Sequence, residues 1–510
     1  MMHTRIVLAI AALFLSGCVM LGPDYVRPPT SLLTNWTKAK DKRITNGEPE
    51  YRAWWRVFND PVLDGLVETA YCQNLTLRTA GVRVLEARAQ LALARGQLYP
   101  QTQQAIGSLQ YNRLSQYGPL ATPGELSYTQ DQVGLTASWE IDFWGKFRRA
   151  IESAGATLEA TVADYESALV SLAADVATDY IQIRTLENRI DIAQQNVETQ
   201  KENLSLAQAR FQFGLASERD VEQARTILED TLASVPVLQT QAEQTRHALA
   251  ILLGLPPTDL IDRVARSSVI PAPPPQIAIG IPEDLLRRRP DVRSAEYQAM
   301  AQGALIGVAR AQLFPAFSLS GTFTFLSTDL PGSSLSDIFK WGSRDILAGP
   351  SFQWNIFNYG RLENNVRIQD ARFQELLITY QNAVLKAQQD VEDALVAYLR
   401  AEERADDLAR STEAARKSLG YAVEQYRGGV TDFTTVIVAE QALLGEQDSF
   451  AANLGAISTG LVSVYRALGG GWQAWEGADP VPEDVKAIMA RRTDWGDLLK
   501  PVRLPSGNER

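Results

Sequence analysis

Residues 94–100 read ARGQLYP and residues 309–315 read ARAQLFP, one seven-residue phrase with two changes, 215 positions apart. At the same offset Trp139 meets Trp354, Ile141 meets Ile356, Gly134 meets Gly349 and Gly145 meets Gly360. Asp175-Val176 lands on Asp390-Val391, Phe211 on Tyr426, Gly214 on Gly429, and Leu253-Gly254 on Leu468-Gly469. A constant offset that runs from about Leu75 to Leu253 without a net gap marks a duplicated structural unit. The chain therefore reads as two copies of one module, 71–255 and 289–469. Segments 18–70, 256–288 and 470–510 lie before, between and after them.

Each copy opens with an Ala-rich helical stretch, Leu75–Leu98 and Asp291–Leu313, stopped at Tyr99-Pro100 and Phe314-Pro315 as proline requires. Strand-like sequence follows, expected over about 101–111 and 131–143 in the first copy and 316–326 and 347–357 in the second. VGLTASWEIDF (133–143) alternates, with Val133, Leu135, Ala137, Trp139, Ile141 and Phe143 on one face and small or polar residues on the other. AFSLSGTFTFL (316–326) does the same. Such alternation fits a half-buried sheet of a soluble protein or a lipid-facing sheet. A length of about 10–11 residues and Trp139, Trp144, Trp354 and Tyr359 near the strand ends favour the membrane. Long Gly/Pro/Ser/Tyr-rich loops, 112–130 and 327–346, join the strands of each pair.

The pattern then changes. Lys146–Phe213 holds no proline, and its apolar residues (Leu158, Val162, Tyr165, Leu169, Leu172, Val176, Tyr180, Ile183, Leu186, Ile190, Ala193, Val197) recur in steps of three and four. The second copy is proline-free over Arg361–Arg427. Long helices are expected over 145–213 and 360–427, and at ~1.5 Å per residue each is a rod of roughly 100 Å, longer than a compact domain needs. Glycine turns (FGLAS, 213–217; GGVTD, 428–432) lead into return helices over 217–253 and 432–468. An opening helix and a return helix together match one rod in length, so the two could stack end to end beside it as a tube wall. Two modules supply four strands. Four strands cannot close a barrel, and open sheet edges are not tolerated in lipid, so the chain is expected to oligomerise. Three copies give twelve strands and room for an aqueous lumen.

The N-terminus carries a short basic region, the apolar run IVLAIAALFL (Ile6–Leu15) and then LSGC ending at Cys18. This reads as a signal peptide, 1–17, with Cys18 acylated as in bacterial lipoproteins; an ordinary signal with a chance cysteine is the alternative. Val19, where an aspartate is absent, favours passage to the outer membrane. Cys72 is then the single remaining cysteine, so no intramolecular disulfide is available, and it reads as a small helix-face residue. A net charge of −11 argues against a nucleic-acid partner. Arg287-Arg288-Arg289 is too short to change that and reads as a solvated or salt-bridged junction. The two histidines, His3 and His247, support neither a catalytic triad nor a zinc cluster, and no phosphate-cradling glycine loop is present. No enzyme activity, metal or cofactor is expected beyond a covalent lipid on Cys18.

LGPDYVRP (21–28), WWRVFNDPVLDGLV (54–67), RRPDVRSAE (288–296) and the paired ARxQLxP phrases resemble the outer-membrane factor (TolC-like) family, in its lipoprotein branch that works with RND-type pumps. The resemblance spans the whole mature chain. It implies a mixed α and β, internally duplicated chain. Three copies would form a 12-stranded transmembrane β-barrel, with four strands from each chain. That barrel would continue into a long periplasmic α-helical coiled-coil barrel, with a belt built from 18–70, the Pro-rich linker (PAPPP, 271–275) and 470–510. The partners implied are a homotrimer, a periplasmic adaptor, an inner-membrane RND-type pump and outer-membrane lipid. By position, the family's tip latch falls on Tyr426 and Asp220; Asp220 reads equally as a first-turn cap. The latch arginine is replaced by Thr431 and the acidic ring positions by Thr435 and Val438, which brings Asp432, Arg427 and Arg219 forward as gate residues. The adaptor would meet the turns Gly214, Leu215, Ala216, Ser217 and Gly429, Val430, Thr431, whose glycines are also ordinary helix C-caps. The function so implied is a passive exit channel of a tripartite efflux pump. The alternatives are the exit duct of a protein secretion system and a periplasmic coiled-coil scaffold lipoprotein.

Overall fold

The computed structural model describes residues 19–45, 50–115, 117, 127–260, 264–280 and 288–500. Cys18, the expected acylation site, lies outside them, as do the signal peptide and much of the loop 112–130. In chain order the elements are β1 (Ile44–Thr45), α1 (Pro61–Gln73), α2 (Leu75–Gly96), β2 (Thr102–Arg113), β3 (Ser127–Ile141), α3 (Lys146–Gln212), α4 (Glu218–Leu252) and β4 (Ile277–Ala278). They continue with α5 (Pro290–Ala311), β5 (Ala316–Thr328), β6 (Arg344–Gln353), α6 (Arg361–Arg427), α7 (Phe433–Ala467) and α8 (Glu483–Arg492). Packing divides the chain into two units, and neither is a repeat. Of the described residues, those within 1–28, 85–161 and 295–380 form one unit and those within 29–84, 162–294 and 381–510 the other. Each takes a part of both copies.

The first unit holds a four-stranded antiparallel sheet in the order β2-β3-β5-β6. The two hairpins join along β3 and β5, where Leu135 faces Phe323 and Trp139 faces Leu319. The register gathers Leu109, Val133, Leu135, Phe323, Ile346 and Phe352 on one face, all exposed. Gln132, Thr136, Ser138, Ser320 and Thr322 share the other. β2 and β6 are its edges. All four strands differ in their ends from the sequence reading, β2 and β5 running on to Arg113 and Thr328, and β3 and β6 differing most. β3 begins at Ser127 rather than 131 and ends at Ile141, because Asp142 turns inward to take the Phe147 and Arg148 amides (both 3.0 Å) that open α3. β6 spans 344–353 rather than 347–357, since Arg344 pairs with Phe325 and the chain leaves the sheet at Trp354. The Trp354 indole donates to the Leu313 carbonyl (3.0 Å), just as Trp139 donates to that of Leu98 (3.1 Å). Here lies a physical reason for the repeated phrase: each helix stops at a proline, and its freed carbonyl accepts a strand tryptophan. Glu296 in this unit receives a bidentate pair from Arg27 (2.6 and 2.7 Å) and lies 3.4 Å from the Tyr25 hydroxyl, joining LGPDYVRP to RRPDVRSAE.

In the second unit the apolar face of α3 is buried as its spacing predicts, from Val162 and Leu169 through Tyr180 and Ile183 to Val197. The segments outside the repeats pack on the same core. Trp54 stacks on Tyr465 with ring centroids 5.3 Å apart, and Asp60 caps α1 while accepting the Tyr180 hydroxyl at 2.7 Å. β1 and β4 pair in parallel, tying the N-terminal segment to the linker. Glu187 and its repeat equivalent Glu402 hold these two segments. Glu187 accepts Arg184 (2.8 Å), Arg246 (2.5 Å) and the Ser267 amide (3.2 Å), and Glu402 accepts Tyr398 (2.7 Å) and Arg43 (3.3 Å). Arg289 reaches Asp291 (2.7 Å), Asp390 (2.9 Å) and the carbonyl of Ala467 (3.0 Å), while Arg293 reaches Glu166 (2.7 Å). The RRPDVR junction is thus a clamp of ion pairs. Cys72 is exposed on α1.

Candidate functional site

The residues singled out by the resemblance gather at two turns of the second unit, where α3 passes into α4 and α6 into α7. The turns are built alike. Gly214 and Gly429 both have φ +72°, the left-handed conformation that glycine adopts without penalty. Leu215 donates to the Arg210 carbonyl (2.8 Å) and Val430 to that of Gln425 (2.9 Å), each closing a helix end. The side chains of Leu215 and Val430 project into solvent, 65 % and 79 % exposed, with Phe213 beside them at 80 %. Ala216 and Thr431 are half-buried and Ser217 is exposed.

The second helices start differently. Ser217 caps α4 in a reciprocal box with Asp220, whose carboxylate lies 2.8 Å from the Ser217 hydroxyl and 3.4 Å from its amide. Asp432 occupies the cap position of α7 without a side-chain bond to the backbone; the Thr435 hydroxyl lies 3.4 Å from it and bonds Thr431 at 2.7 Å. Arg427 pairs with Glu424 (2.9 Å) on the surface, and the Arg219 guanidinium lies 3.8 Å from Asp220. Val438 is exposed.

Behind the turns is a separate apolar cluster that includes Ala207, Val221, Tyr426, Phe433, Val436 and Leu443. Tyr426 is buried edge-on against Phe433, ring centroids 5.1 Å apart, and its hydroxyl has no hydrogen-bond partner among the described residues. Within this chain, then, Asp220 is engaged as a cap and no hydrogen bond links it to Tyr426. Burial first, and then the Asp220 carboxylate, raise the Tyr426 hydroxyl above the ordinary tyrosine range, with Arg210 opposing.

Arg210 escapes the sequence reading. It sits in the last turn of α3, donates to the Arg427 carbonyl (2.7 Å) and the Leu215 carbonyl (3.3 Å), and lies over the Tyr426 ring at 4.7 Å. One guanidinium therefore touches both turns and the candidate latch tyrosine. Its equivalent in the second copy is Gln425, so the repeat offers no clue. Its position at a helix C-terminus, where a cation is favoured, was the available signal.

A sequence model of the outer membrane efflux protein family matches residues 66–255 and 281–470, one stretch for each repeat. Nodulation protein T of Rhizobium leguminosarum bv. viciae is 31% identical over 482 residues, covering 94% of this chain and 96% of that one. The pyoverdine export outer membrane protein OpmQ of Pseudomonas putida is 33% identical, covering 84% and 89%. Among solved structures, the outer-membrane channel OprN superposes with a TM-score of 0.83 at 34% identity, covering 89% of this chain and all of that one. The Campylobacter jejuni outer membrane channel CmeC gives 0.82 at 25% identity, covering 92% and 98%. With both repeats matched and the fold shared over most of its length, the chain belongs to the outer membrane efflux protein family and is an efflux channel of the outer membrane.

Proposed function

We propose that three copies of this chain close their sheets into one twelve-stranded barrel and their helices into a hollow periplasmic wall, forming a passive exit duct. The observation that carries this is the open sheet: an apolar face, a polar face, and two unpaired edges, β2 and β6. In lipid each unsatisfied backbone group costs several kcal/mol, so the edges demand partners, and those of identical neighbours complete the ring. Acylation at Cys18 would anchor each copy. The belt would form from 18–70, 256–288 and 470–510 around the duct.

Cargo would enter from an inner-membrane RND-type pump through a periplasmic adaptor seated on the turns Gly214–Ser217 and Gly429–Thr431. Energy would come from the pump. The exposed Phe213, Leu215 and Val430 suit helical hairpin tips whose apolar residues need cover. Pyoverdine and toluene, named among the relatives' cargoes, share little in size or polarity; we therefore assign selection to the pump rather than the duct. The gate would lie at the turns, with Tyr426 and Asp220 as its latch and Asp432, Arg427 and Arg219 replacing the charges absent at Thr431, Thr435 and Val438. No catalysis is assigned to the chain.

Conductance across planar bilayers tests the reading. Reconstituted protein should conduct weakly, and Asp220→Ala or Tyr426→Phe should raise the open fraction. Absence of conductance in every variant would favour a scaffold, and unchanged conductance in both would remove the latch.

A further inference from the structure

Between α3 and α7 the second unit carries a series of polar contacts in a single heptad phase. Asp175 meets Arg466 (2.9 Å), Arg189 meets Asp448 (2.6 and 3.0 Å), Asn196 meets Gln447 (2.8 Å), and Asn203 meets Glu440. Arg210, seven residues on, meets the carbonyl of Arg427 just beyond (2.7 Å). Positions 189, 196, 203 and 210 fall at consecutive heptads on α3, so they share one face of the rod; the first three meet α7, and Arg210 meets the C-terminal end of α6. The inner rungs are buried: Asn196 is 8 %, Asn203 6 % and Glu440 4 % exposed. A buried polar pair in a coiled-coil seam fixes register, because sliding leaves both members unpaired in an apolar setting.

The seam is unequal along its length. Toward the turns the packing around it is under-satisfied: Gln200 Oε1 and Arg210 Nε on α3, Gln223 Oε1 on α4 and the Tyr426 hydroxyl on α6 are buried without a hydrogen-bond partner among the described residues. Such atoms weaken the packed arrangement relative to any that frees them. The tip end of the packing therefore leans on the few bonds that do cross it.

We propose that Arg210 and the Asn203–Glu440 pair are the positioning residues that hold this chain's own two helical pairs together in the shut tip, so that opening breaks these rungs first. The inference rests on the tip-gate reading and names the contacts inside one subunit that such a gate must release.

The test is single-channel recording of the full-length chain in planar bilayers. Arg210→Ala and Glu440→Leu should each raise the open-to-shut ratio roughly tenfold, the scale of one lost hydrogen bond to a charged group. Glu440→Gln, which still accepts from Asn203, and Arg210→Lys, which keeps a donor and a charge, should restore much of the shut fraction. Lys201→Ala, in an exposed pair with Glu198 on the same helix, should change nothing. If Glu440→Leu fails to assemble, Arg210→Ala at the helix end decides alone. Ladder variants that stay shut while Asp220→Ala and Tyr426→Phe open would overturn this inference and leave the gate standing. Failure of all four to open would remove the tip gate itself. Opening by Glu440→Gln as large as by Glu440→Leu would also overturn it, since the bond would then be irrelevant.

Discussion

The two long helices, α3 and α6, have the same 67 residues, and the two return helices, α4 and α7, the same 35, yet burial is distributed crosswise. In the first copy it is the rod that is buried, with Leu169, Val176, Tyr180, Ile183 and Leu186 all nearly inaccessible. In the second it is the return helix, through Ile457, Leu461, Val462, Val464 and Tyr465. α6 keeps a shorter buried stripe, Val391, Leu395 and Tyr398, and beyond it carries exposed ion pairs, Arg400–Glu403, Asp407–Arg410 and Glu413–Arg416. Duplication fixed the lengths; placing both copies in one chain let their environments diverge. The buried rod of one copy packs on the buried return helix of the other, and each pair of equivalent residues becomes an internal control.

Glu187 and Glu402 make the widest such contrast. Glu187 is 2 % exposed at its side chain and neutralises Arg184, itself 4 % exposed, whereas Glu402 is 20 % exposed and Arg43 retains Asp41. Removing one partner of a buried ion pair strands the other. Glu187→Ala should cost about 4 kcal/mol and Glu402→Ala about 1 kcal/mol. Urea titration followed by helical circular dichroism compares them; equal losses would mean that the two anchors carry equal load.

Gly455 and Thr240 come next. A Cβ on Gly455 would lie 2.2 Å from the Thr185 hydroxyl and 2.8 Å from its methyl, so the Thr185 side chain of α3 packs directly on the α7 backbone. Thr240, its equivalent on α4, is exposed. Gly455→Ala should therefore destabilise by about 2 kcal/mol, while Thr240→Ala stays within about 0.5 kcal/mol. Adding Thr185→Ala should recover part of the first loss, which a double-mutant cycle would register. Additive effects would place the crossing elsewhere.

Periodicity and offset made the architecture legible before any coordinates. The proline stops, the three-four spacing of α3 and the glycine turns each act through local chemistry, so sequence carries them. Strand ends were less legible, because Asp142 leaves the alternating pattern to take the first amides of α3 and Trp354 leaves it for the Leu313 carbonyl, and neither bond shows in the alternation. The crosswise packing could not be read at all: α6 and α3 look alike as amphipathic rods, and only their neighbours decide which is buried over more of its length. The same holds for Arg210, whose value comes from the Arg427 carbonyl 217 residues away. Asp220 was legible as a cap, since Ser217 stands three residues before it, and that is the bond it makes within the chain.

The two turns sharpen the comparison on a smaller scale. Ser217 accepts the Asp220 amide at 3.3 Å, whereas Asp432 accepts no backbone bond. Ser217→Ala should cost about 1 kcal/mol and Asp432→Ala only a few tenths, roughly the macrodipole contribution alone. Local hydrogen exchange at residues 218–222 and 433–437 would separate the two.

The smallest effect is a proton. Asp179 lines an open groove of about 470 Å³ between α3 and α4; its equivalent in the second copy, Ala394, has nothing to titrate. Burial, and then Asp175 one turn away, push its carboxyl up to about 6. The α4 residues that line the groove, Gln241, Gln244, Thr245 and Ala248, bring no charge to offset this. Since the folded value lies above the ordinary one, the neutral acid is favoured by folding. Its contribution is complete below about pH 4 and is lost as pH rises through about 6. The thermal midpoint of the wild type should therefore fall by about a degree more than that of Asp179→Asn across this window. Parallel curves would show that water or a neighbouring copy already solvates the carboxylate, and that the uncharged groove does not hold it neutral.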